Sequence, residues 1–285
     1  GGEPLSLPIN LRLHRKGEQT LLDLAEEMLR ELAQWFPDRR LHLSADGFYA
    51  SLAGRHLPNM HLTSRMRSDA ALYTVPPPRR PGQRGRTRKR GRRLPSPEQL
   101  AKRTHGWKKT PVMMRGKSQV RLLLTVEVLW YAVCPDQPVR LVISRDPKGR
   151  EDDDFLFTTD LQAAPAHVIS DYAGRWSIED TFRNVKQHLG AEDPQCWKAP
   201  GPARAAAFSF WIYSAVWLWY LQTQGSRLSW LIVPWYPHKR TPSFADALAA
   251  LRRALWRQRI FADSEKSSLP RKITNTLIEV LAMAA

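Results

Sequence analysis

The residues most able to do chemistry lie in YAGRWSIEDTFRNVKQHLG, Tyr172 to Gly190. On one helix turning about 100° per residue, Tyr172, Arg175, Glu179 and Lys186 fall within an arc of about 60°. Ile178, Phe182, Val185 and Leu189 form a neighbouring apolar stripe that would bury the helix and hold the polar stripe at its margin. Gly174 allows a later start, with Ser177 as N-cap and Asp180 closing a capping box, which leaves Tyr172 and Arg175 in the approach. An Arg175–Glu179 pair one turn apart can be simple surface pairing, worth a few tenths of a kcal/mol. A carboxylate with cations before and after it can also do more. Asp46, in SADGFYA, closes a short predicted strand, and a strand-end carboxylate can meet one on a later helix. Two or three such groups suit Mg²⁺ or Mn²⁺, hard ions that keep positions open for phosphate. A metal pair about 4 Å apart supports in-line displacement at phosphorus. Arg175 and Lys186 would then hold phosphates and keep Glu179 ionised. By itself ADG is a common turn, so Asp46 carries little weight alone.

The elements that must position these groups follow from periodicity. LSLPINLRLHRKG reads as extended, and a helix runs from about Gln19 to Trp35 with Leu22, Ala25, Leu29 and Leu32 on one face, stopped by Pro37. RRLHLSADGFY reads as a strand ending at Asp46, and a second strand is expected near NMHLTSRM. Strands resume in QVRLLLTVEVLWYAV, PVRLVIS and FLFTT, with the acidic loop REDDDF before the last. From Ala164 the pattern is helical, including a helix from Ser243 in which Asp246 completes a capping box and a last one after Pro270. The order is an α/β core split by an insertion.

Charge is concentrated in that insertion. The 285 residues carry a net +17, and the window Pro77 to Lys117 holds fifteen cations against one acid, Glu98, so +14 sits there. PPPRRPGQRGRTRKRGRR is too rich in Pro, Gly and Arg to pack and reads as a mobile basic arm gripping phosphates without reading sequence. Such a balance points to a polyanionic partner, nucleic acid before an anionic membrane surface. Cys134 and Cys196 make neither a disulfide framework nor a zinc pattern, which suits a reducing cytoplasm. Ala205 to Leu221 is 17 residues without a charge. Its aromatics run along its length and form no interfacial belts, so it reads as a buried core or dimer-interface helix and not as a membrane span. Trp107 has two readings, stacking on an unpaired base or packing under the insertion. Asp152, Asp153 and Asp154 read as a solvated acidic loop, and Asp160 as a cap or turn residue.

Tyr172, Arg175, Glu179 and Lys186, with RWxIE and FRxxKQxLG around them, resemble the Y-R-E-K signature of DDE-type transposases of bacterial insertion sequences. SADGFYA is similar to that family's second-aspartate segment and SRMRSDAALY to the strand after it, so the resemblance spans about Leu5 to Gly190. It implies a ribonuclease-H-like core over residues 1–63 and 150–225, a basic strand-rich insertion over 64–149, and a helical region over 226–285. It also implies cleavage and strand transfer on double-stranded DNA, transposon ends and target, with two Mg²⁺ or Mn²⁺ ions, in the bacterial cytoplasm. On this reading Asp46 and Glu179 are the second and third acidic ligands, and Tyr172, Arg175 and Lys186 touch the transposon end. The family's first aspartate lies upstream of the segment resembling LSLPINLRLHRKG, so the chain is expected to be N-terminally truncated and inactive alone. A non-catalytic DNA-binding remnant is the alternative, and a homodimer through the aromatic helix is a further expectation.

Overall fold

Alternation of apolar and polar residues builds the sheet, because successive side chains in a strand face opposite ways and each set needs its own cover. The computed structural model describes residues 4–78, 82, 84–198, 200–224, 230, 232, 234, 236–264 and 271–283. The chain forms two compact units, one built from Arg12–Ser177 with Leu5 and its neighbours, the other from Ser6–Leu11 and Ile178–Ala285.

The first unit holds α1 (Leu21–Trp35), β1 (Leu41–Ala45), a 3₁₀ helix (Gly47–Arg55), β2 (Met60–Arg65), α2 (Pro97–Ala101), β3 (Lys108–Met114), β4 (Lys117–Val128), β5 (Val139–Arg145), β6 (Asp154–Thr158) and α3 (Pro165–Gly174). Its six strands form one mixed sheet in the order β1-β2-β6-β5-β4-β3. β1 and β2 are parallel, and every other pairing is antiparallel. Leu62, Leu124, Leu141, Ile143 and Phe157 point to one side, where they pack with Ala50, Leu52 and Ala53 of the 3₁₀ helix and with Leu22, Ala25 and Leu29 of α1. Leu123, Val142 and Leu156 point to the other, under Val168, Ile169 and Tyr172 of α3. The strands of the basic segment, β3 and β4, thus lie in the same sheet as β1 and β2.

The second unit contains α4 (Ser177–Leu189), α5 (Gly201–Gln224), α6 (Phe244–Ser264) and α7 (Arg271–Met283). α5 buries Phe210, Tyr213, Val216, Trp217 and Tyr220 among Val185 of α4 and Phe244, Ala247 and Ala250 of α6. Phe208, Trp211 and Leu218 of the same helix stay exposed. Among the described residues no helix is long and apolar enough to cross a membrane. Asp246 accepts from the Ser243 N–H at 2.7 Å, half of the expected capping box, and also pairs with Lys239.

Three expectations are corrected. The signature stretch is two helices and not one: α3 ends at Gly174, Arg175 is its cap, and α4 begins at Ser177, whose hydroxyl donates to the Gly174 carbonyl at 2.8 Å. The 60° arc across all four polar residues therefore does not exist; a new helix starts at Ser177, but Ser177 is its first residue and Tyr172 lies within α3. On α4 the buried positions are Thr181 and Val185, while Ile178 and Phe182 are about two-fifths exposed, Phe182 meeting Phe210 edge-on. The basic arm is also not wholly free. Arg79 and Arg80 lie outside the described residues, but residues 91–94 exchange backbone hydrogen bonds with Leu72 and Thr74. Finally, the acidic loop is paired: Asp153 grips Arg145 with both oxygens and Asp154 holds Arg65 at 2.8 Å.

Candidate functional site

Strand register brings one set of polar side chains to a single end of the sheet. β1 and β2 run parallel and finish together, Ala45 opposite Ser64. β6 runs the other way, so its first residues reach the same end, with Arg65 opposite Leu156. Asp46, just past β1, Arg65, closing β2, and Asp154, opening β6, are therefore neighbours by topology. Asp46 is held in place by the turn it starts. It is the N-cap of the 3₁₀ helix, its carboxylate accepting from the Phe48 N–H at 3.1 Å, and its carbonyl accepts from the Ser64 hydroxyl at 2.9 Å. The side chain is otherwise exposed to solvent.

α3 completes this end from beneath. Tyr172 is buried among Val168, Ile169 and the sheet. The Arg65 guanidinium lies 5.9 Å from its ring centroid and that of Arg175 5.5 Å. Burial pushes the Tyr172 phenol above its ordinary value, the two guanidinium groups pull it back, and the Asp46 carboxylate is close enough to raise it further. Asp46, Tyr172 and Arg175 are thus brought to one end of the sheet, with Arg65 over the same ring and paired to Asp154. Arg175 also lies 5.1 Å from the Trp176 ring, and Arg115 covers that ring at 5.5 Å from the β3–β4 turn. Arg115 stands at φ 49°, a left-handed conformation rare for a bulky side chain. Sequence reasoning missed Arg65 and Arg115; the former's signal was its place opposite Asp46 at the end of the next strand.

Glu179 and Lys186 are exposed on α4 of the second unit, where Lys186 pairs with Glu192. Trp107 packs in the cluster on the α1 side of the sheet, opposite to Tyr172. Its indole N–H donates to the Arg103 carbonyl at 2.8 Å, and Arg145 lies 4.3 Å from its ring centroid. Those are the contacts of the packing reading. Asp160 accepts from the Gln162 N–H at 2.9 Å, as a turn residue does.

The donor chemistry at Asp46 suits a hard cation: an exposed carboxylate with one oxygen fixed by a backbone N–H. Among the described residues no three His, Cys, Asp or Glu side chains form a metal-binding group. An exposed carboxylate of this kind fits Mg²⁺, an ion that takes one or two protein carboxylates, keeps several waters and binds substrate phosphates.

Residues 14–121 match the family model described as DDE superfamily endonuclease. The matched span includes Asp46, Arg65 and Trp107 and ends before Tyr172. No curated protein matches the chain. The match supports a DDE-type transposase, and the mixed six-stranded sheet with helices on both faces is consistent with the ribonuclease-H-like fold of such nucleases.

Proposed function

We propose, taking this chain as a DDE-type transposase, that it cleaves double-stranded DNA at transposon ends and transfers the freed strand to a target, using Mg²⁺ or Mn²⁺. The observation that carries this reading is the gathering of Asp46, Arg65, Tyr172 and Arg175 at one end of the sheet. Asp46 and Glu179 would supply carboxylate oxygens to such an ion; the assignment of Glu179 rests on the signature spacing alone. Bound there, a divalent ion would lower the barrier to in-line attack on phosphorus by activating the attacking oxygen and stabilising the leaving one.

The chain's own residues do the positioning. Arg175 and Arg65 offer planar forks of N–H donors that match phosphate geometry. Tyr172 fixes both guanidinium groups on its ring, so less rotamer entropy is lost when they take a phosphate. Arg65 must share itself between Asp154 and any phosphate, which makes Asp154 a device that holds the fork in place before DNA arrives. Lys186 is placed by the signature as another phosphate contact and would exchange Glu192 for it.

A second reading, a non-catalytic DNA-binding remnant, is favoured by the net charge of +17, which supports binding to a polyanion without any metal chemistry. Nicking of supercoiled DNA in Mg²⁺ or Mn²⁺ separates the two. The test uses the protein as its whole reading frame encodes it. The catalytic reading predicts metal-dependent nicking that D46N and E179Q each reduce by at least about 100-fold, more than the loss typical of a ligand's outer partner. Nicking by E179Q at the parental rate contradicts it. DNA binding without nicking in either metal establishes the remnant.

A further inference from the structure

The basic segment has an ordered root. Arg90 and Arg93 stack on Tyr73, their guanidinium carbons 4.6 and 5.2 Å from its ring centroid. Both donate to the Tyr73 hydroxyl, at 2.8 and 3.1 Å. Arg90 also lies 5.4 Å from the Tyr131 ring. The backbone follows the side chains: Gly91 N–H donates to the Thr74 carbonyl, Thr74 N–H to the Arg92 carbonyl and Leu94 N–H to the Leu72 carbonyl, each at 2.9 Å. On its other side Tyr73 exchanges two backbone hydrogen bonds with Leu129, so it stands between the basic segment and the end of β4. Gly91 is required by this closeness, since a Cβ there would sit 2.2 Å from the Thr74 hydroxyl and 2.7 Å from its carbonyl oxygen.

Two arginines side by side on one phenol repel each other, and among the described residues their side chains meet aromatic faces and a hydroxyl, none of which neutralises charge. Each hydrogen bond to Tyr73 uses one nitrogen of the fork and leaves the others for an anion. Fixing them in the folded protein also removes rotamer entropy before any ligand arrives. Both features favour a partner with closely spaced negative charges in a regular array.

We propose that Tyr73 is a positioning residue for a phosphate-binding ribbon, residues 84–93, that engages the sugar-phosphate backbone of duplex DNA as a fixed element and not as a free arm. The inference rests on the DNA-acting reading but requires no catalysis. It is tested by fluorescence anisotropy with a duplex oligonucleotide of arbitrary sequence, without divalent metal, across a NaCl series. The R90A/R93A double variant is expected to flatten the slope of log K against log salt by about 1 to 2, one phosphate contact per arginine. Y73A is expected to weaken binding about 5- to 30-fold, equivalent to the ordering of two arginines, while Y73F, which keeps the stacking, stays within about 3-fold. A double variant with the parental slope overturns the proposal even if Y73A fails to fold. So does tighter binding of a single strand of the same length. A parent that binds no duplex at low salt overturns the DNA-acting reading itself, a distinct outcome.

Discussion

Tyr172 answers to two demands at once, since its ring closes the α3 side of the core while the guanidinium groups of Arg65 and Arg175 lie over it. Truncating it to alanine should cost about 3–5 kcal/mol, the range for a buried aromatic, as read by chemical denaturation. Y172F should retain most of the stability because the ring stays. The phenol also makes a pH prediction with a definite sign. Its folded value is raised, chiefly by burial. The native state therefore holds a proton that the unfolded chain releases from about pH 10. Stability should be unaffected by this group below that pH and fall above it. Y172F lacks the titration, so melting curves between pH 9 and 11 should show a shallower alkaline loss for the variant. Equal slopes would remove the phenol from the account.

At the scale of elements, the joint between α3 and α4 shows what spacing can and cannot convey. Four polar residues at helical intervals implied one face, yet the chain breaks at Gly174–Trp176 and the four are split between two helices. Periodicity reads local helix and cannot see a capped junction that tertiary packing selects. The alternation in Leu41–Ala45, Met60–Arg65 and Val139–Arg145 was legible because one side of each strand is apolar. β3 was not, since KKTPVMM carries two lysines and a proline and forms by pairing with β4 along its whole length at the sheet edge. Arg65 closes a strand that periodicity located, yet its place beside the end of β1 comes from register, a long-range property that spacing alone does not give. Gly174 itself is not needed for the break: an added Cβ would meet only Pro4, at 3.8 Å. G174A should therefore raise stability by about 0.4–1 kcal/mol through the unfolded chain, and a loss of more than that range would show that the joint needs glycine. The β5–β6 loop offers a separate check. Asp146 accepts from the N–H groups of Lys148 and Arg150, which hold its carboxyl below the usual range. D146N should lower the melting temperature at neutral pH, and the gap should close as pH falls through that depressed value.

For the whole molecule, charge and fold answer different questions. A net +17 with +14 in one window predicts strong, salt-sensitive binding to polyanions whatever the chemistry. The proposed catalysis would instead depend on a few carboxylates in a chain where cations outnumber acids 44 to 27. Duplex affinity should thus survive D46N and E179Q, and even rise slightly as a negative charge is lost, while cleavage does not. The most direct test of the central claim is Mn²⁺ binding to the full chain with duplex DNA present, followed by the loss of the free-ion EPR signal. The account predicts one class of tight Mn²⁺ sites in the parent, weakened at least about 10-fold in D46N and in E179Q, with little further loss in the double variant because both carboxylates serve the same ion. Tight Mn²⁺ binding unchanged by either substitution would contradict it.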